Sequence, residues 1–295
     1  MNKTEGALGI IGGSGLYRIP GVDQIRELTV DTPFGPPSSP IVHGTVQGHS
    51  IYFLARHGRG HTLTPSEVPY KANIWALKSL GVTRVLSVSA VGSLKEEIQP
   101  GHLVIPDQII DRTLGRRENT FFGHGLVAHV AMADPYCQEF RNAVSRAATT
   151  ATPHVHSSGT LVCIEGPQFS TRAESFLYRG WNADLVGMTA MPEARLAREA
   201  SLCYTTLALA TDYDCWREAE DGVNVADVLE IMKSNQKLAV QTILALIPQV
   251  AEITPCSCGQ ALDFALVTLA RDVPQETLKR LELLLPESYF VTSDR

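Results

Sequence analysis

Two carboxylates stand at the end of an apolar run, in the stretch LALATDYDCW from Leu207 to Trp216. The run is typical of a buried strand, and Asp212 and Asp214 follow it with one aromatic residue between them. A carboxylate that leaves water without a partner is costly, so the pair predicts a ligand or nearby cations. Burial and the neighbouring charge favour the protonated form of Asp212, which suits a general acid. The alternative is that both aspartates cap a helix that follows near Trp216.

A basic loop follows another apolar run in FLARHGRGHTLTPSEVPYKAN, where Arg56, His57, Arg59 and His61 fall close together. An arginine guanidinium is a planar fork of donors that suits phosphate oxygens, and His57 can donate a further hydrogen bond. Loop residues at the edge of a sheet usually face a ligand crevice. The segment therefore favours an anion site over its alternative, a solvated basic loop.

Three further segments place small polar groups after apolar runs. IIGGSGLY puts Ser14 in a glycine-rich turn whose backbone N–H groups can approach an anion, although it matches neither the dinucleotide nor the Walker fingerprint. SVSAVGSL adds Ser89 and the amide of Ala90, and VGMTAMPEARLA adds Met188 and Thr189. Each segment alone is more typical of a structural turn. Together with the basic loop, they predict a polar cage for a single phosphate.

The composition argues against nucleic-acid and membrane partners. The 295-residue chain carries a formal net charge of −6 and has no long Lys/Arg cluster, whereas nucleic-acid backbones are bound mainly by clustered cations. It has no uncharged apolar stretch of about 18 residues, and MNKTEGALGIIGG holds too short an apolar segment for a signal peptide. We therefore expect a cytoplasmic protein that acts on small molecules.

The six cysteines predict free thiols and no metal site. Four of them lie singly in mostly apolar segments: Cys137, Cys163, Cys203 and Cys215. The other two, Cys256 and Cys258, are spaced too closely for a CxxC redox or zinc motif and have no His-rich neighbour. A small strained disulfide between these two is the alternative, and a reducing compartment favours the free form.

The elements that must position these residues follow from the alternation of short apolar runs with helical patterns, which predicts an α/β fold with a largely parallel or mixed sheet flanked by helices. The runs are ALGII, IVHGTV, SIYFLA, RVLSVSAV, HLVIP, GTLVCI, ADLVG and CYTTLALAT. The predicted helices are Val68–Leu80, Pro135–Thr149, Ala190–Ser201 and Val223–Leu246. Pro248 and Pro255 interrupt the helical pattern. We therefore predict one main domain, residues 1–250, and a helical C-terminal extension, residues 251–295, that packs on it.

Five motifs resemble those of the trimeric purine nucleoside phosphorylase family. They are GIIGGSGLY, RHGRGH, EGPQFSTRAES, MTAMPEARLAREA and ATDYDCW, and the resemblance runs from about Leu8 to Pro248. It implies a single α/β domain around a mixed sheet, active sites near subunit boundaries, and a homotrimer or a hexamer built as a dimer of trimers. It also implies reversible phosphorolysis of a 5′-methylthio purine nucleoside, with inorganic phosphate as co-substrate and no cofactor or metal.

The resemblance also implies roles for individual residues. Met188 would lie against the sugar, Phe169 against the base, and Asp212 with Asp214 would read the purine. Ser170 stands where 6-oxopurine relatives carry a base-binding glutamate. The residues implied to hold phosphate are Ser14, Arg56, His57, Ser89, Ala90 and Thr189. Those implied to lie near the methylthio end are His61, His129, Val225 and Val228.

The chain departs from animal members of this family at two places. It has SAVGS where they show a Thr-Ala-Cys version, a change that keeps a hydroxyl at Ser89. It also carries CSCGQALDFALVT, which is similar to an extension of archaeal and some bacterial members.

The implied chemistry divides between two ends of one site. Phosphate held by Arg56 and His57 would stabilise the positive charge that develops on the sugar and then capture it. Asp212 would protonate the departing purine near N7, while Asp214 would accept from the exocyclic amino group. Three alternatives stay open: a preference for adenosine, a preference for an inosine-type substrate such as methylthioinosine, and a non-catalytic nucleotide-binding module.

Overall fold

The computed structural model describes residues 6–13, 20–217 and 225–292. Its strands are Ala7–Gly12 (β1), Asp23–Leu28 (β2), Ile41–Val46 (β3), His49–Ala55 (β4), Val82–Ser93 (β5), Leu103–Val104 (β6), Gln108–Arg112 (β7), Val155–His156 (β8), Thr160–Ile164 (β9), Leu185–Gly187 (β10) and Cys203–Tyr213 (β11). Its α-helices are Tyr70–Ser79 (α1), Gln138–Ala151 (α2), Arg172–Gly180 (α3), Ala190–Glu199 (α4), Val225–Leu246 (α5), Gln275–Leu281 (α6) and Glu287–Thr292 (α7).

The strands form one mixed sheet centred on β5. The main path runs β2-β3-β4-β1-β5-β10-β9-β7, and β11 branches from β5 towards β6 and β8. β5 runs parallel to β1 and β11 and antiparallel to β10. Because β1 and most of β11 are buried, they read as nearly continuous apolar runs, as parallel strands covered on both faces do.

A gap in the pairing of β5 opens the sheet at its centre. Pairing with β1 ends at Ser87, and pairing with β10 begins at Gly92. Residues 88–91 between them pair along the other edge with β11. The apolar run RVLSVSAV ends at Val91, and β5 continues past it to Ser93 because β11 accompanies it. Strands that part in this way leave a crevice, which is where α/β sheets commonly bind ligands.

Helices cover both faces of the sheet. α1 packs against α4, and α2 packs against α5. Alternate residues of β1 supply the two cores, since Ile11 joins the apolar cluster that contains residues of α1 and α4, while Leu8 and Ile10 join the cluster that contains residues of α2 and α5. The result is a helix–sheet–helix sandwich in a single domain.

The C-terminal extension continues these cores. It consists of short 3₁₀ turns followed by α6 and α7. Leu262, Leu281 and Leu284 belong to the cluster on the α1/α4 side, and Cys258 belongs to the one on the α2/α5 side. The boundary predicted at residue 250 stays a prediction.

The mixed α/β sheet flanked by helices is confirmed, and each of the four predicted helices is present with small shifts at its ends. Helix α3 was not predicted. Its sequence signal is a capping box, in which the Thr171 hydroxyl accepts from the Glu174 N–H and the Glu174 carboxylate accepts from the Thr171 N–H. Over the residues that the structure describes, no helix has the length and apolar character needed to cross a membrane.

Candidate active site

A cavity of about 530 Å³ opens at the gap in β5. It lies where β4, β10 and β11 end, so the residues that follow these strands converge on it. Eleven residues singled out from the sequence line it: Arg56, His57, His61, Ser89, Ala90, Phe169, Ser170, Met188, Thr189, Asp212 and Asp214. The fold thus brings together segments that are up to 158 positions apart in the chain (56 to 214).

Arg56 is buried, with 2% of its surface exposed, and is held mainly by Glu193. Its Nε and Nη2 donate to the two Glu193 oxygens at 2.8 and 3.0 Å. Nη2 also donates to Ser87 Oγ at 2.7 Å, and Nη1 donates to the Val88 carbonyl at 3.1 Å. Burial disfavours the Arg56 charge, but the Glu193 carboxylate outweighs that effect, so the pKa of Arg56 is raised. Nη1 carries a second hydrogen, which can reach a ligand in the cavity.

His57 presents an acceptor to the cavity. Its Nδ1 lies 2.9 Å from the Leu63 carbonyl, and a carbonyl only accepts, so Nδ1 carries the hydrogen. Burial lowers the pKa of His57 to about 4, against the opposing Leu63 hydrogen bond and with help from the Arg56 charge. The neutral ring therefore offers an unprotonated Nε2, whereas the sequence predicts that His57 acts as a donor. His61 stacks on it, with ring centroids 4.4 Å apart.

Small hydroxyls line the same end of the cavity. Ser89 Oγ and Thr189 Oγ1 lie 3.1 Å apart, and Thr189 is the residue just before α4. Ala90 is exposed to the cavity in the stretch of β5 that β1 and β10 leave open. Hydroxyl and amide donors beside an arginine are suited to a small oxyanion.

At the other end of the cavity, two buried polar atoms have no hydrogen-bond partner among the described residues. One is Oδ2 of Asp214, whose residue is 6% exposed, and the other is Oγ of Ser170. Neither aspartate caps a helix in the described parts of the chain. Buried polar groups are nearly always paired, so an unpaired carboxylate oxygen beside a cavity indicates a ligand that donates a hydrogen bond.

Asp212 is exposed and lies at the opening of the cavity, at the same end as Asp214. Thr211 is an extra residue in β11, since Ala210 pairs with Val91 and Asp212 with the next residue, Gly92. Such a bulge changes the direction in which the following side chain, here that of Asp212, points. The pKa of Asp212 is raised by desolvation and by the charge of Asp214, although the Thr211 hydroxyl, which donates to Oδ2 at 2.6 Å, opposes the shift.

A second buried arginine, which the sequence analysis did not single out, holds the loops around the cavity. Arg117 Nε donates to Glu165 at 3.2 Å, and Nη1 donates to the Met188 carbonyl at 2.8 Å. Ser66 donates to the same Glu165 carboxylate. Arg117 therefore ties the start of the GPQFS segment to the segment that carries Met188. Glu165 and Glu193 lie inside two of the motifs, EGPQFSTRAES and MTAMPEARLAREA, and an acid within such a motif is the signal that could have identified them.

The remaining predicted residues are placed differently. Ser14 lies outside the described residues, and so do the side chains of Val225 and Val228, whose backbone belongs to α5. His129 is exposed and does not line the cavity of its own chain; its N–H donates to the Ala265 carbonyl at 2.8 Å in the C-terminal extension. Phe169 is 80% exposed at the cavity rim. The roles of all these residues stay predictions.

The fold and the cavity define a nucleoside-type phosphorylase, and the comparisons with known proteins agree. The model of the phosphorylase superfamily matches residues 7–248, so the chain belongs to that superfamily. Two similar relatives are named S-methyl-5′-thioadenosine phosphorylase. The one from Geobacter sulfurreducens is 51% identical over 95% of this chain and 98% of its own, and the one from Koribacter versatilis is 50% identical over 95% and 96%.

Solved structures give the same result. A methylthioadenosine phosphorylase from an Antarctic soil metagenomic library has a TM-score of 0.92 and 50% identity, covering 96% of this chain and all of that one. The methylthioadenosine phosphorylase of Schistosoma mansoni in complex with adenine has a TM-score of 0.78 and 39% identity over 86% of this chain and 95% of its own. Within the superfamily, the chain therefore belongs with the S-methyl-5′-thioadenosine phosphorylases, which are pentosyltransferase enzymes.

Proposed function

We propose that the chain catalyses the reversible phosphorolysis of S-methyl-5′-thioadenosine to adenine and 5-methylthioribose 1-phosphate, a step of purine and methionine salvage. The observation that carries this assignment is the unpaired Oδ2 of Asp214, a buried acceptor at the end of the cavity opposite Arg56 and His57. An exocyclic amino group is the donor that it needs. The names of the relatives support the same substrate.

We propose that phosphate occupies the Arg56 end. Hydroxyls of Ser89 and Thr189, the Ala90 amide and the second Nη1 hydrogen of Arg56 supply donors there. Ser14 would add a further donor. Hydrogen phosphate carries one P–OH, and the neutral His57 Nε2 is the acceptor that can take its hydrogen bond. The unprotonated phosphate oxygens then accept from these donors, and the P–OH donates to His57.

The chemistry of this proposal begins with cleavage of the bond between C1′ and the purine. The phosphate dianion beneath the sugar stabilises the positive charge that develops at C1′ and then bonds to it. His57 Nε2 accepts the hydrogen bond of the P–OH group during this step, and His57 is our candidate base for that proton. Bound phosphate places negative charge beside His57. The affinity of His57 for a proton therefore rises when phosphate binds.

The purine leaves with negative charge that a proton near N7 neutralises. We propose Asp212 as its donor, because its raised pKa keeps more of the acid form and its position at the cavity mouth allows it to be reprotonated. Asp214 then accepts from the 6-amino group, with Ser170 Oγ as a second polar contact. Phe169 would pack on the base and Met188 on the sugar.

We propose a 5′ pocket formed by His61 together with Val225 and Val228, which lie three positions apart in α5. Residues at this spacing can face the same ligand. Apolar side chains there would favour a methylthio group, because a 5′-hydroxyl would lose its hydrogen bonds to water without gaining a partner.

His129 would join this pocket only from a neighbouring subunit, and we propose a homotrimer or a hexamer made of two trimers. Around His129, residues 127 and 129 pair with 267 and 265 of the C-terminal extension. Large apolar side chains are exposed at the same place, including Phe264 at 101%, Val267 at 61% and Val127 at 46%. An exposed apolar patch of this kind marks an interaction surface. Light scattering measures the assembly directly.

We further propose that phosphate is the one co-substrate and that no cofactor takes part in the reaction. A cytoplasmic location fits the six cysteines, all of which are free in the structure as they are in reducing compartments. Neither nucleic acid nor membrane is a proposed partner, in keeping with the net charge of −6.

The test is release of free adenine with and without phosphate, using methylthioadenosine, adenosine and methylthioinosine in parallel. We expect release that depends on phosphate and is fastest with methylthioadenosine. Comparable efficiency with adenosine would contradict the apolar 5′ pocket. Binding of nucleoside without any release of base would establish the non-catalytic module instead.

A further inference from the structure

Four cysteines from three distant parts of the chain meet at one place. Cys137 caps the N-terminus of α2, Cys203 begins β11, and Cys256 with Cys258 begins the first 3₁₀ turn after residue 252. Their four sulfur atoms all lie within 4.8 Å of one another. Cys256 Sγ lies 3.6 Å from Cys137 Sγ and 3.3 Å from Cys203 Sγ. We call this group the cysteine cluster.

These separations match a tetrahedral metal site. Zinc binds thiolate sulfur at about 2.3 Å, so the edges of a tetrahedron of four zinc-bound sulfurs are about 3.8 Å. Three of the four cysteines are buried and the fourth is partly buried, which suits a closed structural site without bound water. We propose that the cysteine cluster binds one Zn²⁺ through four thiolates.

The surroundings of the cluster favour thiolates. Four thiolates around Zn²⁺ carry a net charge of −2, which nearby positive charge must offset. The guanidinium of Arg198 donates to Cys258 Sγ at 3.7 Å. Cys137 stands at the N-terminus of the 14-residue α2, where the helix dipole stabilises negative charge. A cation and a helix terminus thus face the cluster from two sides.

The role of this metal is structural. The cluster lies at the first residue of β11, and Asp212 lies nine positions further along, which is about 30 Å for an extended strand. A zinc ion there would fasten the C-terminal extension to α2 and β11. Since metal binding to a folded site adds directly to folding free energy, its removal should lower thermal stability and leave the chemistry of the cavity intact.

On their own, Cys256 and Cys258 do not form a metal-binding sequence motif. The ligands that complete the set stand 119 and 53 positions before Cys256. Only the fold brings them together, because α2 and β11 both begin beside the start of the extension.

The experiment is elemental analysis of full-length protein purified without chelators under anaerobic conditions. We expect about one zinc per chain, lost in the Cys256→Ser, Cys258→Ser double variant and retained in Cys163→Ser, which alters a buried cysteine outside the cluster. Replacement by Co²⁺ should give the intense visible absorption of a tetrahedral tetrathiolate. Wild-type activity per active site should survive removal of the metal, while the melting temperature falls.

Thiol titration of the unfolded wild type is the second measurement, and several results would contradict the zinc proposal. Six reactive thiols without bound zinc, or a failure of the metal-free protein to take up added Zn²⁺, would overturn the proposal. So would two reactive thiols, because they would show that the cluster exists as two disulfides. Equal zinc loss in Cys163→Ser would show that the metal is bound elsewhere.

Discussion

At the residue scale, we expect the choice of purine to depend on Oδ2 of Asp214, the buried acceptor without a partner in the described chain. A 6-aminopurine donates to it, whereas a 6-oxopurine sets one acceptor against another. Sites built around such a bond reject the wrong partner by roughly 10⁴-fold. We expect kcat/KM for methylthioadenosine to exceed that for methylthioinosine strongly, and Asp214→Asn to narrow the ratio because an amide both donates and accepts.

The control for that prediction is Asp212→Asn, since it removes the acid and keeps the contact at Asp214. Steady-state rates with both nucleosides should show a loss of turnover with little change in their ratio. A wild type that cleaves the 6-oxo substrate efficiently would show that Asp214 does not hydrogen-bond to the 6-amino group.

The protonation of His57 gives a prediction about pH. Its pKa falls from 6.5 to about 4 on folding, so the unfolded chain binds the proton more readily. The stabilisation from neutral His57 is complete above pH 6.5 and is lost as the pH falls towards 4. Nitrogen NMR of labelled histidine should show the neutral Nδ1–H form at pH 6, and bound phosphate should raise the pKa. The His57→Asn variant assigns the signal. A charged ring at pH 6 without phosphate would contradict the geometry.

Arg56 supports the fold through its ion pair with Glu193, in addition to the phosphate contact that we propose for it. Arg56→Ala leaves the buried Glu193 carboxylate without its main partner, and breaking a buried ion pair costs about 3–5 kcal/mol. We expect a loss of this order in the free energy of unfolding in urea, together with weaker phosphate use. Arg59→Ala is the matched control, because Arg59 is 53% exposed and its pair with Glu27 lies at the surface. Equal stability of the two variants would refute the anchoring role of Arg56.

At the element scale, the bulge in β11 and a glycine in β5 set the positions of the two aspartates. A Cβ on Gly92 would lie 3.2 Å from Asp212 Oδ1 and 3.3 Å from Asp214 Cβ, which is closer than ordinary contact. We expect Gly92→Ala to lower kcat/KM by about 10- to 100-fold, because small displacements of catalytic groups are costly. Gly180→Ala, at the end of α3 with no atom within 4 Å of the added carbon, should be neutral. Wild-type kinetics in Gly92→Ala would contradict this account.

Most of the elements around the site could be predicted because they carry local patterns. The alternation of apolar runs with amphipathic segments gave the sheet and four helices, and the motifs gave the residues that line the cavity. The pairing gap of β5 could not be predicted, since it depends on where β1 stops and β10 starts along a third strand. The unprotonated Nε2 of His57 was not predicted for the same kind of reason, because it depends on a contact of Nδ1 with Leu63 that a turn creates.

At the scale of the whole molecule, two cores on opposite faces of one sheet fix the cavity between them. One side supplies Glu193 from α4, which holds Arg56, and the centre of the sheet supplies Ser87 and Asp214. In the proposed reaction, phosphate and purine would therefore bind at separate ends of a preformed cavity. This arrangement predicts that the two substrates react only when both ends are filled.

The most direct test of the account follows the fate of phosphate itself. Phosphorus NMR of a reaction with methylthioadenosine should show inorganic phosphate replaced by a sugar phosphate ester, one for each adenine released. Carrying out the reaction in ¹⁸O-labelled water should place no label in the sugar. Release of adenine without consumption of phosphate, or with ¹⁸O in the sugar, would contradict the account, because water would then be the nucleophile at the Arg56 and His57 end.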